Sequence, residues 1–322
     1  MKLAKTYGYL KKDLDLIEET LRNSVQANQP ILRQTSEQLL KAGGKRIRPL
    51  FVLLSGALGP DKGKTPLIDA AVSIELIHMA TLVHDDVIDN AWLRRGKPTI
   101  RVHYDNRTSM YTGDYILACA LESITNIESA EIHRLLSNTI VEVCKGEIEQ
   151  IRYKFDWEQN LRIYLRRIRR KTAILIATCC KMGALISGLP EKSAVKLFKY
   201  GYYLGMSYQI IDDILDFTAS AKQLGKPSGN DLLQGNITLP VLEAMKDADF
   251  AKLVKETIER GASTKDVRRL VDSMKQLGAI ERSYAMSNRY LQKALDSLDG
   301  FEDSKEKRTL VDIAAYMGKR SF

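Results

Sequence analysis

Six aspartates, set in the two stretches "VHDDVIDN" (83–90) and "IIDDILDF" (210–217), are the residues of this sequence with the plainest capacity for chemistry. In the first stretch Asp85 and Asp89 are four apart, so on a helix they share one face with side chains about 5–6 Å apart, and Asp86 sits on its edge. His78 falls two turns earlier, close to the same stripe. In the second stretch Asp212 and Asp216 repeat the relation, Asp213 is again the neighbour, and Gln209 precedes by one turn. Like charges four apart weaken a helix by roughly a few tenths of a kcal/mol per pair, so a cation belongs there. Carboxylates without His or Cys partners are hard ligands suited to Mg²⁺, which keeps several waters and shares its shell with phosphate oxygens. Two such clusters facing across a cavity would hold a diphosphate through bridging metal ions. One cluster alone reads equally well as a polar helix face; two, each followed by a basic Gly/Pro loop ("LRRGKP", "LGKPSG"), do not.

The basic residues supply the anion half of such a site. "GGKRIRP" (43–49) puts Lys45, Arg46 and Arg48 at a helix start, where unsatisfied backbone N–H groups and the helix dipole also favour an anion. Arg94 and Arg95 follow the first acidic stretch by little more than a turn. The economical arrangement is a metal-bound diphosphate on the acidic side and a second, metal-free one on the basic side. The third cluster, "YLRRIRRK" (164–171), reads equally as a solvated helix face. A lone His in an apolar helix is ordinarily a packed core residue; its stripe makes His78 a binding candidate, whereas His84 reads as structural.

Helices must position these groups. Apolar spacing of three and four predicts helices over 10–27, 31–42, 48–58, 67–89, 109–126, 131–149, 158–187, 192–219, 237–246, 248–259, 264–278, 280–297 and 304–318, with no strand-like alternation. Gly/Pro breakers separate them, no repeat appears, and no linker composition interrupts the 322 residues. The expectation is an all-α chain, a single large helical bundle with a central cavity, forming one domain over 1–322. The longest apolar stretches are broken by Lys, Glu or His short of the 18 or so residues a membrane span needs, and "MKLAKTYGYLKKDLD" lacks the apolar core of a signal peptide. A cytoplasmic protein is expected. Cys119, Cys144, Cys179 and Cys180 show no CxxC pairing and no His at ligand spacing, which leaves reduced thiols. The net charge of +9 admits nucleic acid, an anionic membrane surface or an anionic small substrate. The acidic clusters and the lack of stacking aromatics among the basic residues exclude nucleic acid.

"GGKRIRP", "ELIHMATLVHDDVIDNAWLRRGKPT", "YTGDYILA", "GEIEQI", "RRKTA", "GMSYQIIDDILDF" and "LGKPSGNDLLQGNITLP", in this order, resemble the trans-isoprenyl diphosphate synthases, the polyprenyl synthetase family. The likeness runs from about residue 10 to the C-terminal "YMGKRSF" and implies the isoprenoid synthase type of bundle. "MYTGDYILA", "TIVEVCKGEIEQI", "LRRIRRKTA" and "DLLQGNITLPVL" are most similar to one branch, the catalytic component II of bacterial heptaprenyl diphosphate synthases, which works with a smaller component I. The resemblance implies an allylic diphosphate, such as farnesyl diphosphate, held through Mg²⁺ by Asp85, Asp86, Asp89, Asp212, Asp213 and Asp216. Arg94, Lys171 and Lys226 would contact the leaving diphosphate. Isopentenyl diphosphate would lie against Lys45, Arg48, His78 and Arg95, and its double bond attacks the allylic cation. Thr172 and Gln209 would turn oxygen dipoles toward that cation, and the departing diphosphate would take the final proton. Asn90 departs from relatives that continue the acidic run. Ala80 and Thr81, one turn before Asp85, stand where short-chain relatives carry bulky aromatics; with Ile77 and Ser73 on deeper turns they leave a tunnel open. The implied product is a medium to long all-trans polyprenyl diphosphate, heptaprenyl by the closer likeness, for menaquinone side chains. Component I or a second copy is the implied partner, with transient contact to an anionic membrane surface. A homodimeric synthase of another product length, a terpene cyclase and a non-catalytic helical subunit are the rival readings. "GGKRIRP" with His78 argues against the cyclase, and the six intact aspartates argue against the subunit.

Overall fold

The computed structural model describes residues 7–61, 63–219 and 228–318, and Lys226 of the candidate site lies outside these residues. Helix is the dominant structure, and the fold is all-α. The chain divides into two compact units, one of residues 1–137, 178–198 and 302–309 and one of residues 138–177, 199–301 and 310–322.

The first unit begins with α1 (Lys11–Ser24), α2 (Pro30–Lys41), α3 (Ile47–Ala57) and α4 (Thr65–Ile88). A two-strand hairpin, β1 (Leu93–Arg94) and β2 (Lys97–Pro98), leads into the short α5 (Ile100–His103) and then α6 (Asn106–Ile124). Proline opens α2 and α4, where a missing N–H costs nothing, and the Asp105 side chain caps α6 by accepting from Thr108 N. Helix α4 is buried round most of its circumference, packed by α3, α6 and α1. That corrects one expectation. With Asp69 and Glu75 as its only charges before the acidic stretch, α4 is long and apolar enough by length and composition to cross a membrane, yet most of it is buried inside the protein. Packing of this kind needs close approach: a Cβ on Gly56 would lie 2.5 Å from Leu67 Cδ2, and one on Gly183 would lie 2.2 Å from the Val52 carbonyl oxygen.

Helix α7 (Ala130–Arg152) begins in the first unit and runs into the second, which holds α8 (Leu161–Ile168), a π-helical turn (Arg169–Ala173) and the first residues of α9 (Ile174–Ile186), whose remainder belongs to the first unit. Helix α10 (Glu191–Thr218) begins in the first unit and continues into the second, which then holds α11 (Asn230–Leu233), α12 (Leu239–Ala244), α13 (Ala248–Glu259), α14 (Thr264–Gln276) and α15 (Ala279–Asp296); α16 (Lys305–Gly318) begins in the first unit and ends in the second. The core of the second unit joins Tyr164 and Ile168 to Ile210 and Ile214 of α10, Leu239 of α12 and Leu270 of α14. Asn160 caps α8 and Ser263 forms a full capping box with Asp266 at α14.

The predicted helix over 158–187 is thus not one regular helix. It starts only after the Asn160 cap and holds a π turn, where Gly146 and Gly205 let α7 and α10 press close. A Cβ on Gly146 would lie 2.6 Å from Arg170 Cβ, and one on Gly205 would lie 2.5 Å from Ala173 Cα. The hairpin was not expected either, since two-residue strands carry no periodicity; Arg95 and Gly96, at φ 53° and 74°, make its two-residue turn.

Gly183→Ala would drive a methyl group into backbone that cannot move aside. The variant is expected to lose about 1–3 kcal/mol of stability, read as a lower urea midpoint at unchanged slope.

Candidate active site

The end of α4 shows why the first acidic stretch is built as it is. Asp89 is the last residue of the helical ladder, its N–H donating to Asp85 O at 2.8 Å. Asn90 then turns left-handed at φ 49°, with Ala91 N donating to Asp86 O and Asn90 N to Val87 O. That is a Schellman ending with Asn in the position that Gly usually takes. Its Oδ1 also accepts from Arg101 Nη2 at 3.1 Å. Asn is one of the few non-glycine residues whose short polar side chain suits this backbone.

The three aspartates do not share one environment. Asp85 and Asp89 are partly exposed, whereas Asp86 is buried and accepts from Arg94 Nε at 2.7 Å. Burial raises the Asp86 carboxyl above its ordinary value, and the Arg94 charge pulls it back. Asp86, at the edge of that face, is thus turned into the protein, and Arg94 is held to the acidic stretch through it. His84 Nε2 lies 3.2 Å from Asp114 Oδ1, over Gly113, where a Cβ would come within 2.3 Å of the ring nitrogen. "YTGDY" thus serves His84, in the structural role expected of it.

The basic side is organised around His78, one turn after Glu75 on α4. Burial, then the Arg48, Arg95, Arg94 and Arg46 charges, push the His78 imidazole well below its ordinary range, so it stays neutral. Lys45 and Arg95 are exposed, and Arg48 keeps a buried Nε without a hydrogen-bond partner among the described residues. Arg46, read from sequence as one more anion ligand, is instead buried: Nη1 donates to Glu75 Oε1 at 2.9 Å, and Nε and Nη2 donate to the Glu18 carboxylate. Glu18 gave no sequence signal beyond its charge in an amphipathic helix, and Glu75 none beyond a charge in the apolar α4.

In the second unit Asp212 is exposed while Asp213 and Asp216 are buried. Asp213 accepts from Tyr164 Oη at 2.7 Å and from Gln209 Nε2 at 2.9 Å. Burial, with Asp231 nearby, pushes its carboxyl up to about 7. Asp216 Oδ2 accepts from Asp231 N at 3.1 Å, and its carbonyl accepts from Gly229 N at 2.7 Å, which ties the loop after α10 to the acidic stretch. Thr172 Oγ1 donates to Gln209 Oε1 at 2.5 Å, so Thr172, Gln209, Asp213 and Tyr164 form one chain of hydrogen bonds. Both faces of the Gln209 amide are thereby engaged. Lys171 Nζ donates to Gln150 Oε1 at 2.7 Å, and the π turn is braced by Arg170, which reaches Glu142 and Glu149. Arg166, Arg169 and Arg170 of the "YLRRIRRK" cluster thus pair with Glu142 and Glu149 of α7, while Arg167 is buried and donates to Gln159 Oε1 and the Ile237 carbonyl. Sequence reading missed Tyr164 and Gln150; a tyrosine seven residues before Lys171 and a glutamine closing "GEIEQI" were the available signals.

On α4, Ser73, Ile77 and Ala80 are buried, and Ser73 spends its hydroxyl on Ala120 O at 2.8 Å. Thr81 is partly exposed and bonds back to His78 O.

Residues 29–274 match the Polyprenyl synthetase family. The chain belongs to this family. As a polyprenyl synthetase it is a prenyltransferase. It is 52% identical over its whole length to heptaprenyl diphosphate synthase component 2 of Bacillus subtilis, covering 92% of that protein. It is 51% identical, again end to end in both chains, to the component 2 of Geobacillus stearothermophilus. Heptaprenyl diphosphate synthase of Staphylococcus aureus has the same fold at a TM-score of 0.92 and 40% identity, over 97% of this chain and 98% of that one. A polyprenyl synthase of Caulobacter crescentus, solved with calcium and isoprenyl diphosphate, superposes at 0.94 with 28% identity over 99% and 98% of the two chains.

The donor set of this polyprenyl synthetase fits a hard divalent ion. Among the described residues no three acidic, imidazole or thiol groups converge tightly enough to hold a metal unaided. Asp212 is exposed and Asp85 and Asp89 are partly exposed, while Asp86, Asp213 and Asp216 are buried and accept from Arg94, from Tyr164 and Gln209, and from Asp231 N. Few protein oxygens, with water and phosphate completing the shell, is the pattern of Mg²⁺.

The neutral state of His78 has a consequence for stability. Its folded value lies below the unfolded 6.5, so below that pH the unfolded chain takes up a proton that the folded chain refuses. Stability is full above pH 6.5 and falls as pH drops from there. His78→Gln should flatten this fall: from about pH 7 to about pH 5 the wild type loses on the order of 1 kcal/mol more than the variant, measured from urea midpoints at each pH.

Proposed function

We propose that this prenyltransferase condenses an allylic diphosphate, farnesyl diphosphate by chain-length class, with successive isopentenyl diphosphates, and that its product is heptaprenyl diphosphate for menaquinone side chains. The end-to-end likeness to two component 2 proteins is the observation that carries the product and the need for a smaller partner component. The reading places the protein in the cytoplasm, with transient contact to an anionic membrane surface, as its charge of +9 allows.

The residues divide the work by charge. Asp85, Asp89 and Asp212 would hold Mg²⁺, with Asp86, Asp213 and Asp216 keeping the helix ends in place. Bound there, the ion supplies Lewis-acid stabilisation of the leaving diphosphate. Arg94, Lys171 and Lys226 bind the diphosphate oxygens as negative charge collects on them during ionisation. Thr172 and Gln209, fixed by their mutual hydrogen bond, present the polar atoms nearest the π turn. Lys45, Arg48, Arg95 and neutral His78 bind isopentenyl diphosphate; a neutral imidazole can donate to a phosphate oxygen without adding a charge that would repel the developing cation. The released diphosphate takes the final proton.

The test is incubation of the purified chain with farnesyl diphosphate, labelled isopentenyl diphosphate and Mg²⁺, with and without the smaller component, resolving product lengths. Heptaprenyl product only with the partner supports the reading; robust product from the chain alone would move it to the homodimeric enzymes. Asp85→Ala is expected to lower kcat by about 10²-fold or more and to leave the helical circular dichroism unchanged, and retained turnover would remove the metal assignment. Thr81 is the partly exposed residue one turn before Asp85, so Thr81→Phe should shorten the product by one or more isoprene units. An unchanged product ladder would show that the tail runs along another face.

A further inference from the structure

Glu75 is a buried carboxylate in the middle of the basic side, and water cannot compensate it. Its relative exposure is 3%, and while Oε1 accepts from Arg46 Nη1 at 2.9 Å, the buried Oε2 has no hydrogen-bond partner among the described residues. Two guanidinium groups compete for this anion. A Cβ on Gly44 would lie 3.2 Å from Arg46 Nη1 and 2.9 Å from Arg95 Nη1, so the two cations flank one glycine, and the Glu75 charge acts on both. Arg46 has every advantage in that competition. It caps α3 from a left-handed backbone at φ 48°, and Glu18 on α1 grips its other edge through Nε and Nη2. Arg95 is exposed, stands in the hairpin turn and makes no ion pair among the described residues.

We propose that Arg46 is a positioning residue: by occupying the Glu75 carboxylate it keeps that buried anion from capturing Arg95, and so leaves the Arg95 guanidinium available to isopentenyl diphosphate. The inference rests on the assignment of Lys45, Arg48, His78 and Arg95 to that substrate. A forked cation between two carboxylates suits the task, because a guanidinium can satisfy both at once while an ammonium cannot. Glu18 is the anchor that makes the arrangement permanent. Without Arg46, Glu75 would be a buried charge with both oxygens open, and Arg95 is a cation without an ion pair among the described residues on which that charge already acts.

The decisive measurement is equilibrium binding of isopentenyl diphosphate, alongside KM for each substrate, in Arg46→Met and in Arg46→Met/Glu75→Gln. The single variant is expected to weaken isopentenyl diphosphate binding about tenfold while the KM for farnesyl diphosphate changes less than about twofold; the double variant, having lost the competing anion, recovers to within about threefold of wild type. Equal impairment of single and double variants would overturn the proposal, because a merely structural Arg46 is not rescued by removing Glu75. So would unchanged binding in the single variant. Should Arg46→Met not fold, Glu75→Gln decides alone: affinity equal to wild type or tighter supports the proposal, and a loss beyond about tenfold overturns it. Arg95→Ala keeps the two levels apart. If that variant binds isopentenyl diphosphate like the wild type, it is the pocket assignment that fails, and the role of Arg46 falls with it.

Discussion

A carboxylate removed from water must find a cation or hydrogen-bond donors, since leaving it unpaired costs roughly several kcal/mol, and this constraint shapes both acidic helix ends. Each stretch contains buried aspartates that are bonded to other groups of the protein. Asp86 has Arg94, Asp213 has Tyr164 and Gln209, and Asp216 has the Asp231 amide. These are the residues that fix where the helices end. Their neighbours Asp85, Asp89 and Asp212 can then remain nearer to solvent, with position supplied for them. A DDxxD stretch is in this sense two kinds of aspartate interleaved, one buried and one nearer to solvent.

The same logic explains where the backbone departs from ordinary geometry. Arg46, Asn90 and Arg95 are non-glycine residues with left-handed backbones, and all three border the charged residues of the first unit. Such conformations cost energy and persist where surrounding bonds determine them. Arg46 is gripped by Glu18 and Glu75, and Asn90 by Arg101 and two backbone hydrogen bonds. In the second unit the π turn plays the corresponding part: one extra residue in the helical turn changes the direction of Lys171 and Thr172, and the ion pairs of Arg170 with Glu142 and Glu149 hold it.

Much of this was legible before any coordinates. Helix α4 and the C-terminal helices follow the apolar spacing to within a few residues, because burial along a stripe is what that spacing encodes. The six aspartates and the residues around His78 were equally visible, since charge in an apolar helix needs a reason. What stayed hidden depends on a single partner far along the chain. Glu75 stands out as a charge in an apolar helix, but nothing local names Arg46 as its partner, and nothing local tells Tyr164, bonded to Asp213, from any buried aromatic. Arg46 was misassigned for the same reason: among three cations in "GGKRIRP", spacing alone does not say which one is internal. The hairpin and the π turn are too short to have a period.

Helix α4 carries several functions at once because its faces are separable. At about 100° per residue, Glu75, His78, Asp85, Asp86 and Asp89 fall within a sector of roughly 100°. Ser73, Ile77 and Ala80 fall in the opposite sector, where they are buried, and Thr81 stands at the border, partly exposed. The polar sector therefore runs as one line from the pair that fixes the basic turn, past the imidazole, to the carboxylates, so a rotation or slip of the helix would displace all of them together. The apolar sector prevents that motion. Its small residues admit α6 closely enough for Ser73 to bond the Ala120 carbonyl, which locks the helix about its axis. Precision on the charged side thus depends on close packing on the other, and a substitution in either sector is felt in both.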